Sequence, residues 1–219
     1  MLVKLMVAGL VGAAVLLAAP VWALAGTISF DFSNCSLITT PLGGGGTCPG
    51  DTEDSTLHYT NGGLSIDATG TQISNSTRTD LFVKQGGGGE TGLGIAADPS
   101  GNGEITSAYI VNLSTANLIA NGITGGQLSF QSVQPGEGFK VCTGNTLGSL
   151  GTDNCQTGTT DTTINLNWGS DTFIGITGTS GNVLVASELV VRKVPEPAAM
   201  ELFATGLVGL AMFRRRSRS

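Results

Sequence analysis

The sequence predicts an all-β protein, an antiparallel β-sandwich of jelly-roll type with a helical segment at each end of the chain. Three observations support this fold class. Turn-forming residues (Gly, Asn, Asp, Ser and Thr) interrupt the chain at short intervals between positions 26 and 193. The runs between these interruptions alternate apolar with polar residues, as strands with one buried face do. Apart from the two terminal segments, no run keeps a sustained helical period.

Nine runs have the composition and alternation expected of strands, enough for two packed antiparallel sheets. They are 27–32, 63–68, 80–84, 105–113, 127–133, 138–142, 162–168, 171–177 and 182–192. A short helix is expected at 115–120, with Ser114 as its N-cap.

The run at 162–168 shows the clearest alternation. Its apolar residues Ile164, Leu166 and Trp168 fall on every second position, so they share one face, and the other face is exposed to water. The following pair, Gly169-Ser170, predicts a tight hairpin turn into the next strand.

Residues 1–25 have the three parts of a secretory signal peptide. Lys4 supplies the positive charge, residues 5–19 form the apolar helix, and Ala23-Leu24-Ala25 is an A-x-A cleavage site. The alternative is an uncleaved membrane anchor. Cleavage by signal peptidase would start the mature chain at Gly26.

The C-terminal segment, 194–219, has three parts in a fixed order. The two prolines hold Val194-Pro195-Glu196-Pro197 extended. Residues 198–213 are apolar except Glu201 and Thr205, and as a helix they would measure roughly 24 Å, a short transmembrane span. Four arginines follow (Arg214, Arg215, Arg216 and Arg218), which places the C-terminus in the cytoplasm.

This Val-Pro-Glu-Pro motif, apolar helix and Arg cluster together resemble the PEP-CTERM sorting signal. The resemblance implies a Gram-negative bacterium and export across the inner membrane, with only transient residence there. It also implies removal of the tail by an exosortase and association with the cell surface, the outer envelope or an exopolysaccharide matrix. The alternative is an uncleaved tail anchor. The segment from Asp80 to Ile105 is also similar to exported PEP-CTERM proteins without an assigned activity.

Removal of both ends would leave one strongly acidic domain, residues 26–193 with a short remnant of the tail. Five of the ten basic residues stay when Lys4 and the tail arginines leave, and fifteen of the sixteen acids stay when Glu201 leaves, a formal charge near −10. Such a surface repels phosphate backbones, so nucleic-acid binding is not expected.

The four cysteines all lie in the exported part, where disulfides are favoured. Cys35 and Cys48 bracket one Gly-rich loop, and Cys142 and Cys155 bracket another. Of the three possible connectivities we predict this local pairing, with about 3 kcal/mol of stabilisation for each bond. The alternative, a zinc site, would need ligand spacings that the sequence does not have.

One loop has the first half of a calcium motif. Asp98, Asn102 and Glu104 offer oxygen ligands, but position twelve of the motif is Tyr109, which excludes an EF-hand. A calcium site in a sandwich loop is the hypothesis, and a polar Gly-rich turn is the alternative. Otherwise we expect no cofactor.

No motif identifies a catalytic site, and we do not expect an enzyme. The sole histidine, His58, is interpreted as structural, and Trp168 and Tyr109 as core residues and not as platforms for sugar rings. The predicted function is adhesion or matrix structure. The alternatives are a polysaccharide-binding module, aided by calcium, and a secreted hydrolase.

Overall fold

The computed structural model describes residues 26–39, 55–85, 91–97, 103–183 and 188–192. Residues Thr27–Lys193 form one compact unit. In the described ranges no helix has the length and apolar character needed to cross a membrane. The predicted signal-peptide helix and C-terminal transmembrane helix lie outside those ranges.

Thirteen strands and one short α-helix account for the regular structure of the described chain, together with a 3-10 turn at Cys35–Leu37. The strands are β1 (Thr27–Asp31), β2 (Thr56–Asn61), β3 (Leu64–Gln72), β4 (Arg78–Thr79), β5 (Leu81–Gln85), β6 (Thr91–Ile95), β7 (Tyr109–Ser114), β8 (Gly125–Phe130), β9 (Gly138–Gly144), β10 (Asp153–Gly158), β11 (Thr162–Asn167), β12 (Phe173–Ser180) and β13 (Glu188–Arg192). The helix α1 is Ala116–Ala120.

The strands form two large antiparallel sheets. Sheet A has the order β1-β13-β8-β11, and sheet B has the order β10-β9-β12-β7-β3-β2, with β4 also paired to β3. Strands β5 and β6 form a separate hairpin. The strand pairs of the described chain are antiparallel. The prediction of a mostly antiparallel, all-β protein is therefore confirmed.

A single apolar core joins the two sheets and the hairpin. Alternate residues of sheet A, such as Phe130, and of sheet B, such as Phe139, are buried in it, and these two rings stack with their centroids 3.8 Å apart. Burial of apolar side chains on both inner faces is the main favourable term in folding. The β5–β6 hairpin adds Leu81, Val83, Leu93 and Ile95 to the same cluster.

The predicted alternation in β11 is confirmed. Leu166 and the adjoining Trp168 are buried and Ile164 is partly buried, whereas Thr163, Asn165 and Asn167 are exposed. The strand itself ends at Asn167.

One predicted turn type and one predicted helix cap were wrong. Gly169-Ser170 does form a turn, but β11 and β12 belong to different sheets, so the turn is a corner of the sandwich and not a hairpin. The N-cap of α1 is Thr115 and not Ser114, which is the last residue of β7. The Thr115 hydroxyl donates instead to the Asp171 carbonyl at 2.6 Å, and this contact ties the helix start to that corner.

Candidate functional site

The predicted site residues fall into separate regions of the chain. The sorting motif (Val194, Pro195, Glu196, Pro197, Arg214, Arg215 and Arg216) lies outside the described residues. Its point of attachment does not, because β13 ends at Arg192. Along the chain, the motif therefore begins two residues after a strand of sheet A.

That strand is held on both sides. β13 pairs with β8 on one side and with β1 on the other, and its first pair with β1 joins Thr27 to Arg192. On the inner face of these two strands Phe30, Leu189 and Val191 are fully buried, and Ile28 is partly buried. The outer edge of β1 is capped, since the Asn61 amide donates to the Ser29 carbonyl at 2.7 Å. The attachment point is an integral part of the fold.

The predicted disulfide between Cys142 and Cys155 is present and links β9 to β10. A register shift leaves Asn154 and Cys155 both opposite Cys142, and Asn154 takes a positive φ of 47°. This β-bulge turns Cys155 toward Cys142. Cys35 is also disulfide-bonded, and Cys48, its predicted partner, lies outside the described residues.

The chain between these two half-cystines covers the outer face of sheet B. We name residues 145–152 the covering loop. The Asn112 side chain is fully buried beneath it, donates to the Ser149 carbonyl and accepts from the Gly148 amide, both at 2.9 Å. Close approach is possible because Gly175 has no Cβ; an added Cβ would lie 2.4 Å from the Leu150 carbonyl oxygen. The disulfide therefore fastens a loop that is packed on the sheet.

Of the three residues predicted to bind calcium, only Glu104 lies in the described part of the chain. Its carboxylate is buried and lies 3.8 Å from the Lys84 ammonium, whose side chain is 18% exposed. A lysine at this position supplies part of the positive charge that a bound cation would provide. Asp98 and Asn102 lie outside the described residues. The described part contains no group of three or more His, Cys, Asp or Glu residues able to hold a metal ion, and calcium binding stays a prediction.

His58 has a partner that the sequence analysis did not identify. It lies on β2 directly opposite Asp67 on β3, and its Nδ1 atom forms a short contact with an Asp67 carboxylate oxygen. Both side chains are partly exposed, at 36% and 50%. A cross-strand pair of this kind contributes about 0.2–1 kcal/mol. An aspartate on Nδ1 is also how the histidine of a Ser-His-Asp site is oriented.

The signal for this pair was present in the sequence. Asn61-Gly62-Gly63-Leu64 forms a two-residue hairpin turn in which both glycines have positive φ, 57° and 79°. Such a turn fixes the register of its two strands, because each step away from the turn adds one residue on each side. Recognition of the Gly-Gly turn would have placed His58 opposite Asp67.

Trp168 and Tyr109 are core residues, as predicted. Trp168 is 1% exposed and donates from Nε1 to the Ile123 carbonyl at 3.1 Å. Tyr109 is 7% exposed and donates its hydroxyl to the Ala97 carbonyl at 2.9 Å. Neither ring presents a face to a ligand.

The outer face of sheet A carries short polar side chains in cross-strand pairs. The Gln127 amide donates to Asn165 at 3.0 Å, and the hydroxyls of Ser129 and Thr163 lie 2.9 Å apart. These pairs restrict the rotamers of their side chains before any ligand arrives. The alternation of β11 predicts the water-exposed face of that strand, whereas the residues of β8 that complete this surface were not predicted.

Residues 193–216 match the family model described as the PEP-CTERM protein-sorting motif. No curated protein and no solved structure matches the chain. The chain therefore carries a PEP-CTERM sorting signal, as the sequence resemblance predicted. This motif implies processing by an exosortase and export to the surface or the extracellular space of a Gram-negative bacterium.

Proposed function

We propose that this PEP-CTERM protein is a non-catalytic component of the cell surface or extracellular matrix, with an adhesive or structural role. The observation that carries the proposal is the position of the sorting motif. The motif starts directly after β13, so the whole β-sandwich is the exported cargo. Signal peptidase and exosortase would process its two ends, and the mature domain would keep both disulfides.

The construction of the domain supports a role outside the cell. A disulfide fastens the covering loop, and Cys35 is disulfide-bonded as well. Cross-links of this kind persist in oxidising compartments and stabilise exposed proteins against unfolding. The strongly acidic composition keeps such a domain soluble at high local concentration.

Polysaccharide binding is the second candidate, and the outer face of sheet A favours it. Amide and hydroxyl groups there, on Gln127, Asn165, Ser129 and Thr163, match the hydrogen-bonding capacity of sugar hydroxyls. Calcium held near Glu104 would assist in this candidate function. Hydrolysis is a third candidate, and it depends on the pair His58–Asp67.

The proposal is tested by deletion and complementation in the producing bacterium. We expect the deletion strain to lose matrix cohesion or surface attachment, and the surface protein of the wild type to lack Arg214–Arg218 by mass spectrometry. A His58→Ala variant should restore the phenotype fully, since a non-catalytic role does not use its imidazole.

Two outcomes would contradict the proposal. Surface protein that retains the arginine cluster would show that the tail is an anchor. Failure of His58→Ala to complement, at normal abundance of the protein, would favour the hydrolase. Retardation of the protein in gels that contain neutral polysaccharide, lost in a Gln127→Ala, Asn165→Ala double variant, would favour the binding module over a purely structural role.

A further inference from the structure

The two ends of the sandwich domain meet in one strand pair. β1 and β13 are antiparallel over five residue pairs, from Thr27 with Arg192 to Asp31 with Glu188. Paired residues in such a ladder have Cα atoms about 4.5–5.5 Å apart. The chain therefore enters and leaves the domain at neighbouring positions, at the same end of sheet A.

Both predicted processing sites lie close to this pair along the chain. The predicted signal-peptidase bond, between Ala25 and Gly26, precedes Thr27 by one residue. The Val-Pro-Glu-Pro motif begins at Val194, two residues after Arg192. Because an extended residue spans at most about 3.6 Å, the predicted signal-peptidase bond and the first residue of the motif lie within about 7 Å of the strand pair.

The strand pair is an integral part of the fold and not a frayed end. Its inward residues belong to the core cluster, and β13 is hydrogen-bonded on its far side to β8. The pair joins residues far apart in the sequence, so it forms only when both ends of the domain are brought together. A chain held at both ends in one membrane is compatible with that condition, because the two ends of the folded domain are neighbours.

We infer that the domain folds while it is still attached at both ends, and that both proteases act on the folded domain. Neither cleavage then depends on the other. This inference rests on the proposed function for the identity of the two cleavage events. Ends at opposite poles of the sandwich would be separated by the length of a strand, about 20 Å for six residues, and a domain attached at both ends would then need longer linkers in order to fold.

The test blocks cleavage of the signal peptide, and it measures both the folding of the domain and the removal of the C-terminal tail. In the full-length chain, Ala23→Leu with Ala25→Leu replaces both small residues of the A-x-A site. We expect the variant to form the Cys142–Cys155 disulfide to the same extent as the wild type, measured by thiol alkylation. We also expect it to lose Arg214–Arg218 at the wild-type rate, so that the product is longer at its N-terminus only.

The wild type, measured in parallel, separates the two proposals. A wild type that keeps its arginine cluster contradicts the proposed function. In that case the disulfide measurement on the variant alone decides whether the domain folds while it is attached at both ends. If the wild type loses its arginine cluster and the variant keeps it, only the inference is overturned. That result would show that the N-terminal cleavage must come before the C-terminal one. Reduced cysteines in the uncut variant overturn it as well.

Discussion

Tyr59 shows how far burial changes the chemistry of one side chain in this domain. Its ring lies in the core, edge-on to Phe32 with centroids 5.1 Å apart, and its hydroxyl donates to the Phe32 carbonyl at 3.2 Å. Burial, and to a smaller extent the negative charge of Asp31, raises the pKa of Tyr59 far above its usual value. The phenol therefore stays neutral while the protein is folded.

This shift predicts a loss of stability at high pH. In the unfolded chain Tyr59 ionises near pH 10.0. Above that pH the unfolded chain binds one proton fewer than the folded protein, so the free energy of unfolding falls by about 1.4 kcal/mol per pH unit. The stabilisation that neutral Tyr59 supplies is complete below pH 10.0, and it is lost as the pH rises toward the pKa of Tyr59 in the folded protein.

In the Tyr59→Phe variant, the free energy of unfolding should not show this fall above pH 10.0. At pH 7 the variant should be less stable by about 1 kcal/mol, the value of one hydrogen bond. Denaturant unfolding in steps from neutral to strongly alkaline pH measures both effects. Equal alkaline slopes in the two proteins would contradict the assignment to Tyr59.

Single residues also show what sequence could and could not predict. The burial of Trp168 follows from its position in an alternating run, a local pattern. The pairing of His58 with Asp67 follows from a local turn, Gly62-Gly63, once its type is recognised. The contact of Asn112 with the covering loop has no local signal, because its partners Gly148 and Ser149 lie far along the chain.

At the level of elements, side chains from one sheet protect the edges of the other. The outer edge of β11 exposes backbone carbonyls, and side-chain amides on β10 cap two of them. Gln156 donates to the Asn165 carbonyl at 2.7 Å, and Asn154 donates to the Asn167 carbonyl at 2.9 Å. Asn61 caps the outer edge of β1 in the same way. Capped carbonyls are poor templates for a strand of another molecule.

A Gln156→Ala variant should therefore associate more readily. It frees the Asn165 carbonyl, and we expect an increase in the average mass with protein concentration that the wild type does not show. Light scattering over a concentration series measures it, and the loss of one hydrogen bond should cost about 1 kcal/mol of stability.

The matched control is Gln127→Ala, which removes an amide that contacts the Asn165 side chain on the face of the same sheet. It should cost a similar amount of stability but leave the molecule monomeric to the same degree as the wild type. If both variants scattered light as the wild type does, capping by Gln156 would have no role in solubility.

The corner after β11 explains why element types were predictable and their connections were not. Gly169-Ser170 has the composition of a hairpin turn, and the same residues serve a corner. Backbone hydrogen bonds of Trp168 hold this corner: its amide donates to the Thr124 carbonyl, and its own carbonyl accepts from the Asp171 amide. The bond to Thr124 extends the pairing of β11 with β8, and no local pattern indicates it because Thr124 lies far away in the sequence.

For the whole molecule, the decisive feature is the closure of the chain by β1 and β13. The sequence predicted both strands, yet no local pattern indicates that the first strand pairs with the last. Such a contact forms between distant segments and carries a large loop-closure cost until the rest of the core is in place. The sequence also predicted the sorting signal, since all three parts of that signal are contiguous. The relation between the signal and the fold required the structure.

The pairing of the first strand with the last predicts that the domain tolerates circular permutation, in which its ends are joined and the chain is opened elsewhere. Because Thr27 and Arg192 are paired, a flexible linker of about six residues can join residue 193 to residue 26 without strain. We expect such a permutant, opened between the exposed residues Thr159 and Thr160, to unfold cooperatively with a modestly lower midpoint, since the cost of a linker grows slowly with its length.

The control permutant has the same linker but opens between Gly175 and Ile176, in β12, which pairs with both β9 and β7. It should fail to fold, because the break interrupts two ladders at the centre of sheet B. Thermal unfolding followed by circular dichroism compares the two. If the permutant opened at Thr159 were unfolded as well, the ends of the domain would not be joined as the β1–β13 register requires, and folding of a chain attached at both ends would lose its structural basis.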